Sequence, residues 1–124
     1  ELRRATPPNV QFVDHVDRER LYELYAESGV YAQLSYDESF GVAVVEAMAH
    51  GCTPVVTAAG ALPEVVADCG EIVASRDAAE IAERIRAVLE RGVTPNERAM
   101  ARAREFPPER RQRELLAVME TLWL

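Results

Sequence analysis

Two glutamates, Glu38 and Glu46, stand eight positions apart in the stretch DESFGVAVVEAMAHG, residues 37–51. Its small apolar residues predict a helix, with Glu38 just ahead of it and Glu46 about two turns inside. A carboxylate among apolar neighbours is costly unless hydrogen-bond donors reach it. A vicinal diol, as in ribose, supplies two hydroxyl donors with a spacing that suits one carboxylate. With a nucleoside diphosphate as ligand, Glu46 would bind the ribose and Glu38 would face the group beyond the phosphates.

The predicted start of this helix suits an anion. Ser39 is the expected N-cap, because its hydroxyl can accept a hydrogen bond from the first turn. The amides of Phe40, Gly41 and Val42 would then lack helical partners and point into a crevice. A helix N-terminus carries partial positive charge. Gly41 costs a helix about 1 kcal/mol relative to alanine, which makes sense where a ligand such as a phosphate approaches the backbone closely.

Each acidic residue of this region also has a simpler interpretation. Glu46 can be a solvated helix position and Glu38 an ordinary loop charge. Asp37 can support the motif residues from its place next to Glu38, although a loop aspartate is more often a turn former. Glu64, at the start of the next short helix, is explained equally well by compensation of the helix dipole and by a ligand role.

Composition excludes several classes of function. The formal net charge is −7 over 124 residues, which argues against nucleic acid as a partner, because phosphate backbones require a basic surface. All 14 basic residues are arginine, so no lysine of this chain can serve a P-loop or form a Schiff base. Cys52 and Cys69 lack the number and spacing of a disulfide framework or a metal site. We expect them to be reduced thiols in a cytosolic protein.

Apolar periodicity and turn residues predict alternating strands and helices along the whole chain. The predicted strands are residues 9–16, 30–35, 53–58 and 70–74. The predicted helices lie within residues 17–29, 36–50, 59–66, 75–92, 94–106 and 109–124. This alternation predicts an α/β fold, with a parallel sheet of about four strands and helices on both faces. Ligands of such sheets bind at the carboxyl ends of the strands, where the loops 35–41 and 57–63 lie.

The stretch ESFGVAVVEAMAHGCTPVVTAAGALPEVV, residues 38–66, resembles the retaining GT-B glycosyltransferases of the GT4 group. Their signature is E-x7-E, then a small-residue helix, a P-V-V strand and a G-G-x-P-E turn. The matching residues are Glu38, Phe40, Gly41, Glu46, Pro54, Val55, Val56, Gly60, Pro63 and Glu64. The flanking segments are similar as well, so the resemblance covers nearly the whole chain.

This resemblance implies a Rossmann-like domain, the C-terminal one of two, that binds a nucleotide-sugar donor. Glu46 would bind the ribose hydroxyls. Glu38, the candidate catalytic residue, would bind hydroxyls of the transferred sugar. The candidate donor-binding residues are Glu38, Ser39, Phe40, Gly41, Val42 and Glu46, with Gly60, Glu64 and Asp37 as further candidates. The resemblance implies transfer with retained anomeric configuration, no metal ion and no cofactor, since the nucleotide-sugar is a substrate.

The sequence departs from the family pattern at several points. The second glycine of the turn is Ala61, which restricts the backbone there. The arginine and lysine that clamp the diphosphate in the family come from upstream, as does the acceptor-binding domain. We therefore expect residues 1–124 to be a partial donor domain of a longer protein, inactive without its N-terminal domain, because such catalysis depends on positioning and charge stabilisation.

The resemblance also bears on the sheet and the C-terminus. The chain would hold strands 3 to 6 of the order 3-2-1-4-5-6, which leaves an apolar edge where strand 1 should pair. Either the first strand fills that edge or two chains pair there. The arginine-rich end, residues 109–124, is either an amphipathic helix on an anionic membrane surface or a packed helix that crosses to the other domain. We favour the second, because acids are interleaved with the arginines.

Two further functions stay open beside a cytoplasmic glycosyltransferase. A nucleotide-sugar epimerase or a phosphorylase could use the same fold, but neither is expected to combine E-x7-E with the L-P-E turn. A non-catalytic nucleotide-binding or interaction module could carry the motif without the chemistry.

Overall fold

Strands and helices alternate along residues 6–92 and 94–122, the part of the chain that the computed structural model describes. In chain order the elements are α1 (Arg18–Glu27), β1 (Val30–Gln33), α2 (Val42–Ala49), β2 (Thr53–Thr57), α3 (Leu62–Val66), β3 (Glu71–Val73), α4 (Ala78–Arg91), α5 (Glu97–Ala103) and α6 (Pro108–Leu122). The strands form a parallel sheet in the order β1-β2-β3, with Val30 opposite Thr53 and Val55 opposite Glu71. Helical crossovers between successive strands make them parallel, so the predicted α/β class is confirmed.

Helices cover both faces of the sheet, as predicted. On one face Val56 packs in a cluster with Met48 of α2 and Leu62 of α3, which α5 also joins. On the other face Val55 packs with Val73 and with Val88 of α4. All five residues of β2 are buried, which explains why this strand reads TPVVT with no polar–apolar alternation.

Residues 9–16, predicted as a strand, have no regular secondary structure, so the described sheet has three strands and the prediction of four is wrong. Phe12 and Val13 are 49% and 51% exposed. A strand needs a neighbour to receive its backbone hydrogen bonds, and the strand that the resemblance places beside this segment is not among the described residues. Within the described sheet β1 pairs with β2 alone. Pairing of two chains at its other edge stays a prediction.

Asn96 caps the start of α5. Asn96 is buried, and its side-chain oxygen accepts a hydrogen bond from the amide of Ala99 at 3.0 Å. Its side-chain nitrogen donates to the hydroxyl of Thr53 at 3.0 Å and to the carbonyl of Cys69 at 2.9 Å. One side chain therefore caps α5 and ties it to the starts of β2 and β3.

The predicted C-terminal helix is present as α6, described up to Leu122, but it buries none of its residues. Its apolar side chains lie open to solvent: Leu115, Leu116, Val118, Met119 and Leu122. Within the described chain, no helix combines the length and apolarity needed to cross a bilayer. The crossing of this helix to another domain stays a prediction.

Candidate functional site

The helix that carries Glu46 begins at Val42, two residues later than a cap at Ser39 would place it. Gly41 is the N-cap and has the left-handed backbone dihedrals φ 90°, ψ 52°. A Cβ atom at this position would lie 2.7 Å from Cδ2 of Leu62. The prediction of Ser39 as the cap is therefore wrong. Gly41 turns the chain in a conformation that strongly favours glycine, and helical dihedrals start only after it.

This shift changes which amides the helix leaves unpaired. The first helical hydrogen bond joins the amide of Val45 to the carbonyl of Gly41 at 3.2 Å. The amides without helical partners therefore belong to Val42, Ala43 and Val44, whereas the expected set was Phe40, Gly41 and Val42. Only Val42 is common to both sets. The partial positive charge of the helix end remains beside the loop that holds Glu38.

The two predicted loops meet at the carboxyl ends of the strands, as expected. The hydroxyl of Thr57 donates to the carbonyl of Ser35 at 2.7 Å. The amide of Ala61 donates to the carbonyl of Glu38 at 3.3 Å. Gly60 packs against Glu38 so closely that a Cβ atom there would lie 1.8 Å from the Glu38 carbonyl oxygen. Ala61 itself has φ −81°, ψ −4°, which any residue adopts, so the missing second glycine does not disturb this turn.

The side chain of Glu38 is half-buried and points to the end of β1. The Nε2 atom of Gln33 donates a hydrogen bond to Oε2 of Glu38. The Oε1 atom of Gln33 in turn accepts a hydrogen bond of 3.0 Å from the hydroxyl of Tyr31. Sequence reasoning missed Gln33. The available signal was the two-residue period of a strand, which places Gln33 on the same face as Tyr31 and just before the motif.

Glu46 lies in a different environment, a cleft of about 680 Å³ between α2 and the start of α6. The lining residues are Ser39, Phe40, Val42, Val45, Glu46, Ala49, Glu64, Phe106, Pro107, Pro108, Arg110, Arg111 and Glu114. We call this the α2–α6 cleft. Glu46 is half-buried, and no described residue donates a hydrogen bond to its carboxylate. The oxygens of that carboxylate are therefore free to accept from a ligand.

The α2–α6 cleft thus brings together Ser39, Phe40, Val42, Glu46 and Glu64 from the predicted set. The remaining predicted residues do not line it: Asp37, Glu38, Gly41 and Gly60. Asp37 is exposed. Glu38 and Gly60 lie next to the cleft, at the point where the loops 35–41 and 57–63 touch. The predicted set therefore divides into a cleft around Glu46 and a loop junction around Glu38.

The wall contributed by α6 was not expected from the sequence. Phe106 contacts Phe40 edge-on, with ring centroids 5.5 Å apart, and this contact holds the start of α6 beside the motif. Arg110 donates to Glu114 at 2.8 Å and to the carbonyl of Glu105 at 2.7 Å. Arg111 lines the same cleft and forms no ion pair with any residue of the described segments.

Two tyrosines, the buried Tyr25 and the half-buried Tyr31, lie under the motif and stay protonated at neutral pH. Burial raises the pKa of Tyr25 to about 12, with smaller contributions from Tyr31 and from the charge of Glu46. Burial also raises the pKa of Tyr31, helped by the negative charges of Glu38 and Glu46. Tyr31 thus lies in the field of both motif glutamates. Because its pKa is raised, its hydroxyl remains a hydrogen-bond donor.

His50, at the end of α2, is held by contacts within the protein. His50 has its Nδ1 atom 2.7 Å from the carbonyl oxygen of Glu46, and its ring packs on Tyr22 at 4.5 Å between centroids. In the described ranges, no group of three His, Cys, Asp or Glu side chains is arranged to hold a metal ion. Metal independence stays a prediction.

Comparison with known proteins identifies the family. Residues 3–106 match the family described as "Glycosyl transferases group 1". The chain is 43% identical over 95 residues to a D-inositol 3-phosphate glycosyltransferase of Mycolicibacterium smegmatis, a match that covers 74% of this chain and 22% of that protein. It is 39% identical over 120 residues to the enzyme of the same name from Nocardioides sp., covering 92% of this chain and 26% of the relative.

A solved structure supports the same assignment. Sucrose-phosphate synthase from Thermosynechococcus elongatus superposes with a TM-score of 0.79 and 28% sequence identity, over 91% of this chain and 30% of that one. The chain spans about a quarter of the length of the curated relatives it matches. Its fold is that of a Rossmann-like fragment of a GT-B protein. Because the family match extends over more than four-fifths of its residues, the chain belongs to the glycosyl transferases group 1.

Proposed function

We propose that this chain is the nucleotide-sugar-binding part of a retaining glycosyltransferase. In this proposal Glu46 accepts hydrogen bonds from the ribose hydroxyls, Glu38 binds hydroxyls of the transferred sugar, and the free amides at the start of α2 meet the diphosphate. Ser39, Phe40, Gly41 and Val42 shape the space between the two glutamates. Asp37, Gly60 and Glu64 support the loops around them.

One observation carries the proposal: the half-buried carboxylate of Glu46 lines a cleft and receives no hydrogen bond from the described residues. Among the described residues no buried side-chain oxygen lacks a partner, so the oxygens of Glu46 are open to the cleft and an external donor can reach them. The cleft volume, about 680 Å³, lies within the roughly 300–1,000 Å³ of pockets that hold small ligands. Val42, at the first turn of α2, lines the cleft as well, so one ligand can reach both the helix end and the carboxylate.

The proposed chemistry relies on binding and orientation by this chain and needs no metal ion or cofactor. The donor domain would hold the sugar and the leaving diphosphate, and an N-terminal domain would supply the acceptor site. We infer that the 124-residue chain alone binds donor without transferring sugar, because transfer requires both substrates in fixed geometry. Sugar transfer by the isolated chain would contradict this.

Ligand-observed saturation-transfer NMR with UDP, GDP and ADP tests the donor site. We expect one of the three nucleotides to bind to the natural sequence and Glu46→Gln to weaken it about tenfold or more, because a hydrogen bond to a charged group contributes about 1.5–3 kcal/mol. The matched control is Glu83→Gln. Glu83 is exposed on α4, the helix that covers the opposite face of the sheet, and this change should leave binding unaltered.

Two outcomes would overturn the proposal in different ways. Binding of a nucleotide with equal affinity in the Glu46→Gln and Glu83→Gln proteins would remove the ribose role of Glu46. Absence of binding for all three nucleotides would refute a donor site in this chain.

A further inference from the structure

The carboxylate of Glu38 is held in place by a chain of two hydrogen bonds that begins inside the sheet. The hydroxyl of Tyr31 donates to Oε1 of Gln33, and Nε2 of Gln33 donates to Oε2 of Glu38. All three side chains are half-buried. Tyr31 and Gln33 belong to β1, which is hydrogen-bonded to β2, whereas Glu38 belongs to a loop.

Glu38 and Tyr31 together determine which way the Gln33 amide faces. An amide has one accepting and one donating end, and rotating it by half a turn exchanges them. A carboxylate only accepts hydrogen bonds, so the donating nitrogen of Gln33 faces Glu38. The hydroxyl of Tyr31, which keeps its proton at neutral pH, donates to the accepting oxygen at the other end of the amide. Tyr31 is itself fixed by an edge-on contact with Tyr25, with ring centroids 5.6 Å apart.

The backbone of Glu38 is fixed from the other side of the loop. Its carbonyl oxygen accepts from the amide of Ala61 at 3.3 Å, and Gly60 packs directly against it. With the backbone and Oε2 both engaged, the side chain loses most of its rotamer freedom before any ligand arrives. Its other oxygen, Oε1, receives no hydrogen bond from a described residue. That oxygen is free to accept from a hydroxyl group.

We propose that Gln33 is a positioning residue that presents the free oxygen of Glu38 to a hydroxyl of the donor sugar. The inference rests on the donor site proposed above and names a residue outside the E-x7-E motif that acts on it. Gln33 would set the affinity for the sugar part of a nucleotide-sugar and leave the affinity for the nucleotide alone unchanged. The physical reason is preorganisation: a carboxylate already held in its binding geometry loses less entropy when the sugar binds.

Isothermal titration with a nucleoside diphosphate and its glucose conjugate separates this role from a structural one. Gln33→Met keeps the side-chain length and removes both hydrogen bonds. We expect it to weaken binding of the conjugate about five- to tenfold and to change binding of the diphosphate less than twofold. Tyr31→Phe should act in the same direction by about two- to threefold, because it removes the hydrogen bond that holds the oxygen end of the Gln33 amide. The matched control is Gln112→Met, on the exposed surface of α6, with no expected effect.

An equal loss for both ligands, or no loss for either, would overturn the positioning role while leaving the donor site intact. Absence of binding of both ligands to the natural sequence would instead refute the donor site and, with it, the sugar role of Gln33.

A measurement without ligand tests the hydrogen bond between Gln33 and Glu38 directly. The side-chain amide protons of Gln33 should show one downfield ¹H resonance that moves upfield in Glu38→Ala. A resonance that Glu38→Ala does not shift would refute the hydrogen bond on which the proposal depends.

Discussion

At the scale of single residues, the site depends on Gly60, which lets the backbones of two loops touch. Gly60 has a positive φ of 50°, and a Cβ atom there would overlap the carbonyl oxygen of Glu38, an atom that cannot move away without its loop. Gly92 also has a positive φ, 63°, but a Cβ atom there would meet nothing within 4 Å. The two glycines therefore share a backbone conformation that disfavours side chains and differ in steric surroundings.

This difference gives a matched pair of substitutions. Gly92→Ala should cost about 1 kcal/mol of unfolding free energy, from backbone strain alone. Gly60→Ala should cost about 2–3 kcal/mol, because it adds a backbone clash, or should displace the loop that carries Glu38. Urea unfolding of both variants measures the difference. Equal losses in the two proteins would mean that the loops can separate without penalty.

At the scale of elements, α5 holds together parts of the chain that are distant in sequence. Asn96 bonds to the starts of β2 and β3, and Arg102 donates to the carbonyls of Glu64 and Val65 at 2.7 and 3.2 Å. These carbonyls lie in α3, directly after the turn that contacts the motif. α5 therefore fixes the loop 57–63. The helix itself does not line the α2–α6 cleft, but the segment that follows it does.

Asn96→Ala should destabilise the protein by about 2–4 kcal/mol. The change removes a helix cap, worth about 1 kcal/mol, and leaves the buried hydroxyl of Thr53 and carbonyl of Cys69 without their donor, at about 1–3 kcal/mol. Asn9→Ala, at an exposed position outside any element, is the matched control and should change stability by less than about 0.5 kcal/mol. Denaturant unfolding compares them, and a loss below about 1 kcal/mol for Asn96→Ala would contradict the role assigned to it.

At the scale of the whole molecule, the core is complete without α6. None of the three buried clusters includes a residue of α6, although Phe106, just ahead of it, packs against the cluster around Met48. The helix contributes one wall of the α2–α6 cleft and otherwise presents exposed apolar side chains. Its contribution is therefore expected in ligand binding and not in the stability of the sheet.

A chain that ends at Pro107 should keep its thermal midpoint within about 3 °C of the full-length value, since α6 buries no side chain. The matched perturbation is Phe106→Ala in the full chain. It removes the contact with Phe40 and should lower the midpoint by at least about 5 °C. Circular dichroism melting curves measure both. A large drop on removal of α6 would show that the helix packs on the core in solution.

The amino-acid sequence by itself determined the α/β class, the helices on both faces, the meeting of two loops at one edge of the sheet, and the family motif. These features follow from local periodicity and from residues whose spacing is set along the chain. Tertiary structure decided the rest. Gly41, rather than Ser39, caps α2, because the chain turns there in a left-handed conformation that favours glycine and a Cβ atom would meet Leu62. Residues 9–16 form no strand, because no described strand lies beside them. The partners of Asn96, Thr53 and Cys69, come from segments whose approach no local pattern encodes, so only the folded chain shows that Asn96 ties α5 to the sheet.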